Sequence, residues 1–275
     1  MNHMLEVLKI IVLGVVEGIT EWLPISSTGH LILVDNFIKL AQSPQFIEVF
    51  LVIIQLGAIL AVVALYFAKL NPFRHKIGSN EFRQTLKLWQ KVLLASIPAA
   101  IIGFLFDNII DKYLFNPVTV AVVLIIYGVA FLLIERRVWQ PKVTSLDKLR
   151  PADVLKIGAF QVLALVPGTS RSGATILGGL ISGVDRQVTT EFSFFMAIPV
   201  MFGASLLKLY KSGLGFTTSE WGLLALGVVV AFAVSIFAIK FLINYIKKNS
   251  FKVFGWYRIA LGLLMLTIFC LLPLL

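Results

Sequence analysis

Long apolar runs recur along this chain, and in two places a polar, glycine-containing segment breaks them. Phe50–Phe67, Val118–Ile134 and Trp221–Ile239 approach the length needed to cross a bilayer core. The interruptions are Ser26-Ser27-Thr28-Gly29-His30, just after Pro24, and Ser170-Arg171-Ser172-Gly173-Ala174, just after Pro167. Hydrocarbon tolerates irregular polar backbone only where protein or a water-filled cavity surrounds it. Two such breaks at matching places therefore point to one central site built from both.

Composition supports a bilayer setting. Of 275 residues, 59% are hydrophobic and 14% charged, against about 25% charged in soluble domains. The mean hydropathy is +0.93. Met1–Ile11 makes a poor signal peptide, because it carries Glu6 and Lys9, lacks a small-residue cleavage site and runs on to Glu17 and Glu21. The single cysteine, Cys270, excludes an intramolecular disulfide. The net charge of +10 is gathered in connections between apolar runs. That is the positive-inside pattern and favours anionic membrane lipids over nucleic acid as partners.

The expected fold is an all-α polytopic membrane protein. Six spans are read at about 46–69, 91–107, 117–135, 191–210, 221–243 and 253–273. Two further segments, about 5–40 and 153–187, are broken by Pro, Gly and hydroxyl residues and are read as re-entrant helical hairpins. Connections 69–91 (Lys69, Arg74, Lys76, Arg83, Lys87, Lys91) and 136–156 (Arg136, Arg137, Lys142, Lys148, Arg150, Lys156) should lie in the cytoplasm, with Lys240, Lys247, Lys248 and Lys252. A short turn at 107–116, with Asp107, Asp111 and Lys112, should lie outside. Each half, 1–140 and 141–275, then holds one hairpin and three spans. Three is odd, so the halves start on opposite sides and form an inverted-topology repeat in one membrane domain. Glu48 and Glu191 precede the first span of each half, and Tyr127-Gly128 echoes Leu261-Gly262.

The polar segments carry the candidate chemistry. Glu17 and Glu21 lie one helical turn apart in an apolar stretch. They suit a divalent cation, Mg²⁺ or Ca²⁺, or Glu21 acts as a general base; the bland alternative is a pair of solvated interfacial acids. Ser26, Ser27, Thr28 and His30 resemble the parts of an activated nucleophile, although a Ser or Thr here also suits a helix N-cap. Gly168, Thr169, Ser170, Arg171, Ser172, Gly173 and Thr175 combine a backbone nest, hydroxyl donors and a guanidinium suited to phosphate. The stretch has no Walker A lysine. The bland alternatives for Arg171 are an ion pair with a buried glutamate or snorkelling to lipid headgroups. Gln55 and Glu48 are candidates to line the cavity. In the repeat Glu17 aligns with Gln161, Ser27 with Arg171 and His30 with Ala174. The acids and imidazole therefore sit in one half and the guanidinium in the other. Ser27, His30 and water all remain open as nucleophile. Gly14 and Gly18 suit helix packing within a chain or between copies, which leaves a homodimer open.

Glu17-x-x-x-Glu21, Pro24-Ile25-Ser26-Ser27-Thr28-Gly29-His30 and Pro167–Thr175, extended by Gln55–Val62 and Glu191-Phe192-Ser193-Phe194, resemble the undecaprenyl-diphosphate phosphatases of the bacitracin-resistance type. The likeness covers nearly the whole chain, without departure at the motif positions. It implies an enzyme of the bacterial inner membrane that recycles the carrier lipid for peptidoglycan synthesis. It also implies dependence on a divalent cation, a site opening toward the periplasm, and two re-entrant hairpins with six spans. The rival expectation is a transporter or flippase that binds a phosphorylated lipid at the same site without cleaving it.

Overall fold

The computed structural model describes residues 3–136, 140–213 and 215–271. In chain order its α-helices are α1 (His3–Thr20), α2 (Ser27–Phe37), α3 (Pro44–Leu65), the single turn α4 (Phe67–Leu70), α5 (Asn80–Leu114), α6 (Pro117–Ile134), α7 (Pro151–Leu163), α8 (Arg171–Ile181), α9 (Arg186–Ser212), α10 (Thr218–Ile246) and α11 (Lys252–Leu266). Six of them, α3, α5, α6, α9, α10 and α11 with its continuation to Cys270, are long and apolar enough to cross a membrane. The protein is an all-α, multi-pass membrane protein.

Local chemistry starts these helices. Ser43 accepts from Phe46 N at 3.1 Å with Pro44 in the first turn, and Asn116 accepts from Thr119 N at 2.9 Å with Pro117 next. Thr217 and Glu220 cap each other's backbone reciprocally. Each cap satisfies an N–H that the helix leaves without a partner.

The boundaries of one span differ from expectation. α5 has 35 residues, about 52 Å at 1.5 Å per residue. Arg83, Lys87 and Lys91 ride on it, and it runs through 107–112, so that only Phe115 and Asn116 separate it from α6. Apolar content marks where a helix lies in hydrocarbon, whereas the helix continues past that zone on polar residues. Arg137, counted among the basic connection residues, and 272–273 of the last span lie outside the described residues.

The packing is reciprocal between the halves. α1 packs on α10 and α7 on α5; α3 lies against α9, and α6 against α11. A Cβ at Gly128 would lie 2.7 Å from Gly255 O and 2.7 Å from Ile259 Cγ1, and one at Gly262 would lie 2.7 Å from Ala121 O and Ile125 Cγ1. The α6–α11 crossing thus repeats itself under exchange of the two helices. Antiparallel α3 and α9 are pinned at both ends, by Lys208–Glu48 at 2.7 Å and Lys69–Glu191 at 2.6 Å. Gly14 and Gly18 are used within the chain, against Val230 and Val234 of α10.

Each hairpin is tied down near its end. Near the start of α1, Glu6 Oε2 accepts from Ala41 N at 3.0 Å and Lys9 Nζ donates to Lys39 O at 2.6 Å. At the other hairpin Lys142 N donates to Gly183 O at 2.8 Å and Asp185 N to Val143 O at 2.8 Å. The basic connections meet at one end of the molecule. There Lys91 donates to Leu146 O and Asp147 O, and Glu135 accepts from Arg186 and from Phe251 N. Gln45 and Lys208 mark the opposite end, where Gln45 Nε2 donates to Ser212 O at 2.7 Å.

Candidate active site

The breaks in both hairpins adopt the same backbone. Ser26 has φ 74°, ψ 102° and Ser170 has φ 69°, ψ 123°. Among the described residues they are the two non-glycine positions with positive φ. Each caps the following helix, Ser26 Oγ accepting from Gly29 N at 3.3 Å and Ser170 Oγ from Gly173 N at 3.2 Å. Such backbone strain, about 1–3 kcal/mol per residue, persists where surrounding structure holds it and gathers at functional sites. Gly168, at φ +92°, has Val120 O 2.7 Å from where a Cβ would stand, so no larger residue fits that turn.

The two caps bring the polar segments together. Ser27 Oγ donates to Glu21 Oε2 at 2.9 Å. Arg171 Nη2 donates to Glu21 Oε1 at 3.1 Å, and Arg171 Nη1 to Ser193 O at 2.8 Å. Both partners of this ion pair are largely buried, with side chains 10% and 8% exposed, so bulk solvent screens it little. Ser172 Oγ donates to Glu21 O at 3.1 Å and lies 3.0 Å from Ser170 Oγ. Thr175 Oγ1 lies 2.6 Å from Ser193 Oγ and donates to Arg171 O at 2.8 Å. The Arg171 guanidinium also stands over the Trp22 ring, 5.5 Å from its centroid.

The acids are not solvated interfacial groups. Glu17 is fully buried, and neither of its carboxylate oxygens has a partner among the described residues. An ionised carboxylate in that position is costly unless a proton or a cation joins it. No group of three or more His, Cys, Asp or Glu suited to a metal occurs among the described residues. Glu17, without a protein partner among the described residues, and Glu21 are the carboxylates that could hold Mg²⁺ or Ca²⁺, hard cations that take oxygen ligands and commonly keep positions for water or phosphate.

A cavity of about 810 Å³ opens beside this cluster, at the end opposite the basic connections. Ser27, Thr28, Gln55 and Glu48 are in its wall, with Lys208 at its rim. Ser27 belongs both to the cavity wall and to the Glu21 hydrogen bond. A smaller cavity, about 480 Å³, lies at the basic end beside Lys69, Lys91 and Glu191. Glu191 lines that cavity and pairs with Lys69, two residues along α9 from Ser193.

His30 makes its hydrogen bonds to groups other than Glu21, Ser27 and Arg171. Its Nδ1 lies 2.7 Å from Ser26 O and its Nε2 2.6 Å from the Tyr257 hydroxyl. Gly168 and Thr169 turn their carbonyls to Arg258, whose Nη2 donates to both at 2.9 Å. Arg258 Nη1 donates across to Pro24 O at 3.2 Å, and its guanidinium stands 5.4 Å from the Tyr127 ring centroid. Arg258 is fully buried and fastens one loop to the other. Sequence reasoning passed over Arg258 and Tyr257, and met Ser193 only as part of a motif, with no role of its own. An arginine inside an apolar span was itself the available signal, since charge at membrane depth is expensive.

Fold and site together define a polytopic membrane protein with a hydroxyl, carboxylate and guanidinium site at the join of two helical hairpins. The chain belongs to the family described as Bacitracin resistance protein BacA, which it matches over residues 10–264. It is 58% identical over 263 residues to the undecaprenyl-diphosphatase of Enterococcus faecalis, covering 94% of this chain and 95% of that one. It is 57% identical over 268 residues to the undecaprenyl-diphosphatase of Acetivibrio thermocellus, covering 97% and 98%. With undecaprenyl-diphosphatase 1 of Clostridioides difficile it shares 54% over 269 residues, covering 98% of each.

Proposed function

We propose that this chain is a membrane phosphatase that hydrolyses undecaprenyl diphosphate to undecaprenyl phosphate and inorganic phosphate. The hydrogen bond from Ser27 to Glu21, with Arg171 on the other carboxylate oxygen, carries the reading. It provides a nucleophile, a base and a cation in one place, which is more than binding requires. The family and the names of its relatives point to the same substrate.

Ser27 Oγ attacks the terminal phosphorus as its proton passes to Glu21. The bridging P–O bond breaks and undecaprenyl phosphate leaves. Water then cleaves the phosphoserine and releases phosphate. Arg171 draws the diphosphate and stabilises charge on the transferring phosphoryl group. Its Nε, buried and without a partner among the described residues, remains as a donor for a phosphate oxygen. Backbone N–H groups and the hydroxyls of Ser170, Ser172 and Thr175 add donors around it. With Glu21 serving as the base, Glu17, whose oxygens have no partner among the described residues, would hold the Mg²⁺ or Ca²⁺. When bound, that cation neutralises charge on diphosphate oxygens.

The protein belongs in the bacterial inner membrane, where it recycles the carrier lipid for peptidoglycan synthesis and thereby confers resistance to bacitracin. Its site faces the periplasm, a reading supported by the larger cavity opening opposite the basic connections. The inverted-topology repeat, with re-entrant hairpins within 5–40 and 153–187, is supported by the reciprocal packing and by the same positive-φ serine cap at the break of each hairpin.

Phosphate release from undecaprenyl diphosphate in detergent tests the function, comparing wild type with Glu21→Ala and Arg171→Ala, with and without EDTA. Cation-dependent release by wild type, lost in both folded variants, supports it; no release by folded wild type with Mg²⁺ or Ca²⁺ present overturns it. In that case the two cavities at opposite ends favour a carrier of phosphorylated lipid.

A further inference from the structure

Tyr257 lies on α11, in a stretch that reads as an ordinary lipid-facing span, yet its hydroxyl is 2.6 Å from His30 Nε2. The two rings are nearly parallel, 6° apart, with centroids 5.6 Å from each other. The other ring nitrogen, Nδ1, is 2.7 Å from Ser26 O. A carbonyl only accepts, so Nδ1 carries a proton. In the neutral ring Nε2 then has a lone pair, and the Tyr257 hydroxyl donates into it. Both ring nitrogens are engaged, one by the strained cap residue and one by α11.

We propose that Tyr257 is a positioning residue of the site, which orients the His30 imidazole in its Nδ1–H form and withholds Nε2 from phosphorus. The proposal rests on the phosphatase reading and deepens it. A histidine nucleophile needs a free lone pair aimed at the phosphoryl group, and here that lone pair is taken. The attacking oxygen therefore comes from the Ser27 side, where Glu21 stands ready for its proton. His30 acts by holding the Ser26 carbonyl, and with it the strained turn that presents Ser27. Tyr257 keeps His30 at that task. Its neighbour Arg258 grips Pro24 O in the same turn, so consecutive residues of α11 steady the first loop from two directions.

The test uses full-length protein in detergent: wild type, Tyr257→Phe, His30→Ala and the double variant. Tyr257→Phe keeps the ring and removes only the hydroxyl. The expected result is a fall in kcat of about tenfold with KM unchanged, the low end of what losing the orienting partner of an imidazole costs in metal sites. In the His30→Ala background the same change should cost nothing further, because Tyr257 acts only through His30. In the ¹⁵N spectrum of histidine-labelled protein, the His30 Nε2 resonance should move downfield on Tyr257→Phe as the accepted hydrogen bond is lost.

Wild-type kcat in Tyr257→Phe, a further loss in the double variant, or an unmoved Nε2 resonance would each overturn the proposal. A phosphohistidine trapped at His30 in wild type would do the same. If wild type released no phosphate, the substrate reading would fail by itself, while the nitrogen spectrum would still decide whether Tyr257 holds His30.

Discussion

Arg171 meets Glu21 at 3.1 Å across 150 residues of sequence, and the same guanidinium donates to Ser193 O at 2.8 Å. Two bonds in fixed directions require a planar fork. Lysine keeps the charge but offers one compact ammonium. Arg171→Lys is therefore expected to lower kcat by at least about 100-fold while the protein still folds. Phosphate release beside a detergent melting curve checks this; activity within a few-fold of wild type would mean that charge alone suffices.

Glu17 is the acid whose oxygens have no protein partner among the described residues. Glu17→Gln keeps the volume and removes the charge, so the fold should persist and the cation requirement should change. The expected outcome is phosphate release that needs about tenfold or more additional Mg²⁺ or Ca²⁺, read from a cation titration after EDTA treatment. An unchanged titration curve would remove Glu17 from cation binding.

Replacing Arg258 should destabilise the protein as well as silence it. Arg258→Met retains most of the bulk but leaves the carbonyls of Pro24, Gly168 and Thr169 without their buried donors. A loss of about 3 kcal/mol follows from unsatisfied buried acceptors at this scale. Thermal melting in detergent measures it, and a wild-type melting temperature would show that the loops hold without the clamp.

Gly128 and Gly262 make the same approach to the facing helix, each with a backbone oxygen 2.7 Å from a would-be Cβ. Gly128→Ala and Gly262→Ala should each push α6 and α11 apart, costing about 1–3 kcal/mol. The equality is the informative part. A large loss at one position and none at the other would contradict the reciprocal crossing.

Ser26 combines a cap with a disfavoured backbone. Ser26→Gly should relieve the strain and lose only a few tenths of a kcal/mol of capping, so stability should hold or rise. Ser26→Val, which loses the cap and keeps the strain, should melt clearly lower. Paired melting curves decide between cap and strain as the dominant contribution.

What could be read from the sequence, and what could not, follows from the range of the interactions. Apolar runs and basic connections are local, and they placed six spans and an all-α fold. The two polar loops stood out because polar residues are rare in such a chain, and Arg171 does pair with a glutamate, as its sequence setting allowed. The limits of α5 were lost because a helix leaves hydrocarbon without stopping. Tyr257 and Arg258 were lost for another reason: they sit more than 220 residues from Pro24 and His30, and only the packing of α11 on α6 brings them there. Arg258 still offered a hint, whereas a tyrosine in a membrane span offers none.

Each half is completed by the other, since α1 lies on α10 and α7 on α5. This has a consequence for how the molecule is made. When the ribosome has finished α6, Glu21 is already in the bilayer, but Arg171, Ser172 and Arg258 do not yet exist. The newborn first half must wait without the two arginines that the finished site sets beside its acids and loop. A chain cut in the connection near residue 140 and supplied as two coexpressed pieces should therefore assemble into one working site, while either piece made alone should be cleared from the membrane.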